Sequence, residues 1–258
     1  MCTNYLKAII LAAGIGSRLG MLTNDKPKCM LKLFGETLIE RQIKIFRSYN
    51  INDITIVTGH KGELIDIPDI NYIKNKNYET TNMNESLFCA LKPSSDPILV
   101  TYSDIIFEQK IIQQMLEFTG DIGLAVNLNW KKYYQNRNMH PLSEAENVLV
   151  ENGKILQIRK NISKSLENQQ IGEFLGIMML SSEHVKILLE RYSYLKKNHV
   201  GAFHNSSSLS NAYITDMLQE IINCGVAVNP IFTEGKWCEI DTPEDLKNAE
   251  KSINKFQS

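Results

Sequence analysis

The residue types best suited to chemistry in this chain gather in one short loop. Leu11-Ala12-Ala13-Gly14-Ile15-Gly16-Ser17-Arg18 joins small residues to a guanidinium, and Pro27-Lys28 adds an ammonium shortly afterwards. Small side chains let backbone N–H groups close on an anion, and loops that follow strands are where α/β sheets bind ligands. A tight turn requires neither cation. Two familiar phosphate loops are excluded. GxxxxGK[ST] fails because Gly20 is not followed by lysine, and GxGxxG fails because Leu19 stands where the last glycine belongs.

A second group is acidic. Asp104, in Tyr102-Ser103-Asp104, and Asp241, in Trp237-Cys238-Glu239-Ile240-Asp241, each follow an apolar run. At the carboxyl end of a strand such a carboxylate can hold a hard cation. Each also fits a helix cap, Asp104 before Ile105 and Asp241 before Thr242. Asn82, Asn84 and Ser86 carry amide and hydroxyl groups that donate and accept, as reading a base edge and ribose requires, while Asn82 or Asn84 also suits a cap. Lys160 suits a point charge on phosphate or, equally, a solvated edge strand.

The elements that must position these groups follow from periodicity. Lys7–Ala13, Ile54–Gly59, Asn71–Lys74, Pro97–Tyr102 and Ile122–Asn127 are short apolar runs that alternate with helix-period segments. Leu38, Ile39, Gln42, Ile43 and Phe46 mark one helix face, and 84–91 and 109–118 two more helices. The pattern predicts an α/β fold with a mixed, mainly parallel sheet. Beyond residue 128, Asn152-Gly153 between apolar runs signals a β-hairpin over 147–160, expected as an insertion. Phe174–Leu180 reads as a strand, and a helix capped by Ser181 or Ser182 runs to about Lys197. His199–Ser210 reads as a mobile loop or lid, 211–223 as a helix, and 226–232 and 237–240 as strands. Thr242-Pro243-Glu244-Asp245 starts the last helix, with a capping hydroxyl, proline at the first position and acids at the positive dipole end.

Bulk composition narrows the partners. The chain has 258 residues, 43% of them hydrophobic, with 28 basic against 29 acidic side chains. A net charge of −1 excludes whole-surface attraction to nucleic acid, so any bound anion is gripped by a few placed residues. Five cysteines without a CxxC pair indicate neither zinc nor a disulfide framework and fit a reducing compartment. No apolar run reaches the roughly 18 residues of a membrane span. The expectation is a soluble cytoplasmic protein without nucleic-acid or membrane partners.

The stretch from Ala8 to Lys28, with LAAGIGSRL followed by KPK, resembles the signature of the sugar-nucleotide type nucleotidyltransferases, and the similarity runs over essentially the whole chain. These enzymes join a nucleoside monophosphate to a phosphorylated small molecule and release pyrophosphate. The resemblance implies a single Rossmann-like nucleotidyltransferase domain, with a nucleotide-binding half over 1–128 and an acceptor-binding half over 129–258. It implies Mg²⁺ as cofactor on Asp104 and Asp241, with Arg18 and Lys28 on the triphosphate and Lys160 on the acceptor phosphate. Leu11, Ala12, Ala13, Gly14, Gly16, Ser17, Asn82, Asn84, Ser86 and Ser103 would then bind the nucleotide. Gly20-Met21 departs from the more usual bulky or basic residue and proline.

Thr81-Asn82-Met83-Asn84-Glu85-Ser86, His140-Pro141-Leu142-Ser143-Glu144 and Gly172-Glu173-Phe174-Leu175-Gly176 are similar to the cytidylyltransferase branch acting on hydroxyethyl- or aminoethylphosphonate and on phosphoglutamine, which supplies a capsular modification. Phosphocholine cytidylyltransferases are more distant. The branch implies CTP and a small phosphonate or phosphate acceptor as partners. If the acceptor ends in an ammonium, Glu144, Glu146, Glu173 and Asp216 are counter-charges, and Trp130 or Tyr213 could cover it by cation–π attraction. Trp130 equally fits a core position. A homodimer, through the hairpin or the helix over 211–223, is one expectation. Alternatives are a sugar-1-phosphate nucleotidyltransferase or a catalytically silent nucleotide-binding regulator.

Overall fold

Every residue of Ala8–Ala12 is buried, and a strand covered on both faces belongs at the centre of a sheet. The computed structural model, which describes residues 5–135, 137–163 and 166–253, places it there. Cys2 lies outside the described residues.

In chain order the first half forms β1 (Lys7–Ala12), the short β2 (Lys32–Leu33) and β3 (Glu36–Thr37), α1 (Leu38–Ser48), β4 (Asp53–Thr58), β5 (Asn71–Lys74), α2 (Met83–Ala90), β6 (Ile98–Tyr102), β7 (Ile105–Phe107), α3 (Gln109–Leu116) and β8 (Ile122–Asn127). The second half adds β9 (Glu146–Glu151), β10 (Lys154–Lys160), β11 (Gln169–Leu180), α4 (Ser182–Asn198), α5 (Ile214–Asn223), β12 (Val228–Phe232), β13 (Trp237–Glu239) and α6 (Pro243–Ile253). The main sheet runs β10-β9-β11-β6-β1-β4-β5, with β8 pairing β11 and β12. Strands β6, β1, β4 and β5 are parallel, while β11 meets β6, β8 and β9 antiparallel, so the sheet is mixed. One sheet therefore runs through both halves.

Local chemistry explains the boundaries. Thr37 and Glu40 form a capping box at α1, whose inner face buries Leu38, Ile39, Gln42, Ile43 and Phe46. Asn152 and Gly153 both take positive φ (50° and 73°), as a two-residue hairpin turn requires. The hairpin β9–β10 continues the main sheet through β11. Strand β11 is longer than the apolar run suggests, beginning at Gln169, because its polar first residues pair with β9. At Gly176 (φ 71°) its register with β8 shifts, and a Cβ there would stand 2.6 Å from Tyr102.

Two expectations are corrected. The segment over 199–210 is not a free lid. Phe203 and Ser206 pair, and Asp216 accepts from Asn205 N (3.1 Å) and Ser206 Oγ (2.7 Å), tying the loop to α5. Helix α5 begins at Ile214 rather than at 211, because Leu209–Asn211 forms its own 3₁₀ turn and Tyr213 N donates to Asp216. The hairpin edge and α5 pack on each other: Ile158 N donates to Gln219 Oε1 (2.8 Å).

Candidate active site

The glycine loop leaves β1 and turns at Gly16 (φ 69°), where a Cβ would lie 3.2 Å from Lys28 Cβ. Glycine thus suits both the backbone conformation and the closeness of Lys28. The following 3₁₀ turn sends successive residues opposite ways. Leu19 is buried with Leu31, Leu33, Leu38, Ile106 and Ile240 in a small core of their own. Arg18 points out and its Nη2 meets Asp241 Oδ2 at 2.7 Å. Lys28 Nζ reaches Asp104 Oδ2 at 2.6 Å and also contacts Asp241 Oδ1.

What brings two carboxylates 137 positions apart onto one ammonium is a pairing that no periodicity announces. Strands β7 and β13 form a separate two-stranded antiparallel ladder, Trp237 opposite Phe107 and Glu239 opposite Ile105, and Ile240 N donates to Asp104 O (2.9 Å). The turn carrying Asp104 is held from beneath by Gln42 of α1. Its Nε2 donates to Tyr102 O and Ile105 O, both at 2.9 Å, and its Oε1 accepts from Thr101 Oγ1 at 2.8 Å. Gln42 sits on a face that otherwise reads as apolar. That polar interruption was the available signal, and its role became apparent only with the turn in place.

Neither aspartate caps a helix. At α6 that role falls to Thr242 and Asp245: Asp245 N donates to Thr242 Oγ1 (3.2 Å), and Asp245 Oδ2 accepts from the Asp241 and Thr242 amides (3.1 and 2.9 Å). The buried Arg137 holds Asp245 Oδ1 at 2.7 Å. Asp241 is thereby fixed at the start of α6, with its carboxylate turned to Lys28 and Arg18.

The charges here are buried and mutually compensated. Burial disfavours the Lys28 ammonium, but Asp104 and Asp241 outweigh it and raise its pKa, so it stays charged. Burial works against ionised Asp241 too, yet Lys28 and Arg18 bring its pKa below the ordinary carboxylate range. Next to them Glu239 is pushed well up, by burial first and then by the charges of Asp241 and Asp104. His140, pushed down to about 4 by burial and by Arg137, is neutral; its Nδ1 lies 3.3 Å from Asp241 Oδ2.

Two cavities flank this cluster. The first encloses about 590 Å³, partly open to solvent, between Leu11, Ala12, Ala13 and Gly14 on one side and Thr81, Asn82 and Ser86 on the other, with Lys28, Ser103 and Asp104 on its wall. Asn82 also caps α2, accepting from Met83 N at 2.8 Å. Ser86 Oγ accepts from Asn75 Nδ2 at 3.0 Å. Gly16 and Ser17 shape the loop without lining the cavity, and Asn84 is fully buried with both amide atoms lacking hydrogen-bond partners.

The second, smaller cavity of about 280 Å³ is lined by Glu144, Glu146, Glu173 and Glu239 together with Tyr102, Tyr134, Phe174 and Trp237. Tyr102 donates to Glu146 (3.0 Å) and Tyr134 to Glu173. Burial pushes Glu146 up to about 7 and Glu173 up to about 8, and Glu173 Oε2 is buried without a hydrogen-bond partner. At the rim Lys160 Nζ pairs with Glu144 (2.7 Å) and lies 5.2 Å from the Tyr213 ring centroid. Glu144 also faces Arg18 at 3.9 Å.

Two acceptor candidates stand elsewhere. Trp130 is buried against Tyr134 and Ala145 and donates to Ile171 O (3.3 Å), a core role that uses its one polar atom. Asp216 is buried, and its oxygens are engaged by the 205–206 loop and Tyr213 N, which leaves no carboxylate for a ligand.

The carboxylates suit a hard cation. Lys28 touches one oxygen of each, so Asp104 and Asp241 converge on a single point, and Asp104 Oδ1 is buried with no hydrogen-bond partner. Oxygen donors in this number match Mg²⁺, which takes one or two carboxylates and leaves other positions to phosphate and water.

The profile of the family described as MobA-like NTP transferase domain matches residues 8–153. The chain is 29% identical over 257 residues to CTP:phosphoglutamine cytidylyltransferase of Campylobacter jejuni, covering 94% of this chain and 98% of that one. The solved structure of CTP:phosphocholine cytidylyltransferase from Streptococcus pneumoniae superposes with a TM-score of 0.72 at 21% identity, over 96% of this chain and 99% of the other. The inositol-1-phosphate CTP transferase of T. maritima superposes at 0.71 and 20%, over 98% and 96%. At these identities the two structures share the fold.

Proposed function

The chain belongs to the family of MobA-like NTP transferases and is a nucleotidyltransferase, and from that premise we propose that it transfers CMP from CTP to a small phosphonate or phosphate acceptor, releasing pyrophosphate. One observation carries the reading: Lys28 and Arg18 converge on the Asp104–Asp241 pair, with Lys28 and Asp104 on the wall of the first cavity and Tyr102 shared with the second. No covalent enzyme intermediate is needed, because the acceptor's own oxygen attacks the α-phosphorus. Catalysis is then positioning and charge neutralisation. The choice of CTP is supported by the relatives named above and by the amide and hydroxyl wall at Thr81, Asn82 and Ser86, which can donate to and accept from a pyrimidine edge.

Each residue has a role in this scheme. The loop over 11–14 and Ser103 hold the nucleotide, Arg18 and Lys28 grip the triphosphate as pyrophosphate departs, and Lys160 binds the acceptor phosphate. Asp104 and Asp241 hold Mg²⁺, which when bound neutralises charge on the phosphates. The acceptor's far end enters the glutamate-lined cavity. Glu173, buried with one oxygen unpartnered, favours an acceptor ending in an ammonium, such as an aminoalkyl phosphonate, with Tyr102, Tyr134 and Phe174 as walls. Residues 1–128 thus serve mainly the nucleotide and 129–258 mainly the acceptor. Dependence on a nucleoside triphosphate and the free thiols support a cytoplasmic setting; no helix among the described residues is long and apolar enough to cross a membrane.

The test is pyrophosphate release from CTP, UTP and ATP against phosphoglutamine, aminoethylphosphonate, hydroxyethylphosphonate, phosphocholine and glucose-1-phosphate. CTP with an ammonium-ended acceptor is expected to be fastest. Activity confined to the sugar phosphate would overturn the reading.

A further inference from the structure

The first turn of α2 stands on the wall of the nucleotide cavity but is gripped by the other half of the chain. The leading N–H groups of a helix have no partner inside it and must find one elsewhere. Here Asn82 N donates to Ser210 O (3.0 Å) and Asn84 N to Ala212 O (3.3 Å). The Asn82 side chain is held at both of its polar atoms as well. Its Oδ1 accepts from Met83 N at 2.8 Å, and its Nδ2 donates to Asn211 O at 3.3 Å. Turning the amide over would set N–H against N–H and oxygen against oxygen, so Asn82 keeps one orientation.

That orientation bears on the base. Cytosine offers an amino donor beside a ring-nitrogen acceptor, whereas uracil offers a carbonyl acceptor beside a ring N–H. An amide able to turn over serves both, and a fixed one discriminates. With one bond made by each polar atom, Asn82 retains an acceptor position on Oδ1 and a hydrogen on Nδ2, and it lines the cavity.

What places the three gripping carbonyls is Asp216 on α5, a residue only 2% exposed. Its Oδ1 accepts from Asn205 N (3.1 Å), and its Oδ2 accepts from Ser206 Oγ (2.7 Å) and from Tyr213 N (3.0 Å). The segment over 205–213, which contains Ser210, Asn211 and Ala212, is thus closed at both ends onto one carboxylate. One turn later on α5, Glu220 Oε2 stands 2.8 Å from His204 Nε2 and seats the residue just before that segment.

We propose that Asp216 is a positioning residue for base selection. By closing 205–213 onto α5 it places the carbonyls that grip α2, and through Asn211 O it holds the Asn82 amide in the orientation that favours cytosine over uracil. This rests on the nucleotide role given above to the wall at Thr81, Asn82 and Ser86.

The experiment compares wild type with Asp216→Asn in the whole protein, by calorimetric titration of CTP and of UTP with Mg²⁺ and by amide hydrogen exchange without any ligand. Asparagine keeps the shape but supplies one acceptor oxygen where two are in use. Exchange at the Asn82 and Asn84 amides should quicken, and the preference for CTP over UTP should narrow by about tenfold, the scale of one misplaced base-edge pairing. Ser206→Ala removes one bond to Asp216 and spares the rest, so it should act in the same direction to a smaller degree. It decides the matter should Asp216→Asn fail to fold by circular dichroism. Unchanged exchange at both amides in a folded variant would overturn the proposal, and so would faster exchange with the CTP preference intact. Wild type that binds CTP no better than UTP would overturn the choice of CTP and the selection built on it, whereas a preference that survives in the variants overturns the role of Asp216 alone.

Discussion

The two cavities, which share Tyr102 as a wall, handle charge in opposite ways. On the nucleotide side every strong charge has a partner: Lys28 and Arg18 lie on Asp104 and Asp241, and the net local charge of these four is zero. On the acceptor side Glu173 is buried and Glu146 half-buried, each accepting from a tyrosine hydroxyl, and one Glu173 oxygen has no partner. A compensated cluster is suited to exchanging partners with a ligand pair of both signs. An uncompensated one is costly unless its ligand brings the missing positive charge. On the proposed reading, the contrast separates catalysis from recognition.

The largest test of that contrast is removal of charge from the compensated side. Asp104→Asn and Asp241→Asn should each lower pyrophosphate release by about a hundredfold or more, the scale of losing a transition-state electrostatic group, with circular dichroism unchanged. Near-normal turnover in both would remove the distinction. Next, Glu173→Gln and Glu146→Gln should raise KM for an ammonium-ended acceptor on the order of tenfold to a hundredfold, as for loss of a buried charge partner, while KM for CTP stays put. An equal rise in both constants would show that the two cavities do not act separately.

Smaller effects sharpen the boundary between them. Gln42→Leu leaves the carbonyls of Tyr102 and Ile105 without their donor, at a cost of about 1–3 kcal/mol in stability. Because those carbonyls flank the Asp104 turn, it should also raise the Mg²⁺ concentration needed for half-maximal rate while the acceptor KM holds. Steady-state kinetics against Mg²⁺ checks this.

The smallest effect is a pH dependence of stability. Glu146 and Glu173 titrate near 7 and 8 in the fold against a reference of 4.5, so the folded state keeps protons that the unfolded state releases. Their contribution is therefore fully present below about pH 4.5 and is lost as pH rises through the folded values. Tm should fall by a few degrees between about pH 6 and 9, and Glu173→Gln should flatten that fall. A Tm that rises over this range in wild type would contradict the uncompensated cavity.

Much of this organisation was legible beforehand, for identifiable reasons. Strand β1 is a continuous apolar run ending in glycine, and α6 opens with Thr242-Pro243 and acids, both signals that act over a few residues. The hairpin turn announces itself because Asn-Gly tolerates positive φ. The strand over 237–240 could be read, but its partner β7 is three residues long and has no periodicity, so the ladder that brings Asp241 to Asp104 stayed hidden. Asp216 illustrates the converse. Its acidity suggested a counter-charge, but a carboxylate three residues after an N-cap competes for backbone amides, and there it found them.

The sequence by itself determined the kinds of group available: a glycine loop with two cations, two aspartates at strand ends, and glutamates scattered over the second half. Those follow from local pattern and residue chemistry. Tertiary structure alone decided which carboxylates are compensated. Pairing and burial set that, and both depend on contacts between residues as distant as Lys28 and Asp241, or Tyr102 and Glu146. The same residue type, a buried carboxylate, thus became the partner of Lys28 and Arg18 at Asp241, a helix cap at Asp245 and a glutamate with an unpartnered oxygen at Glu173.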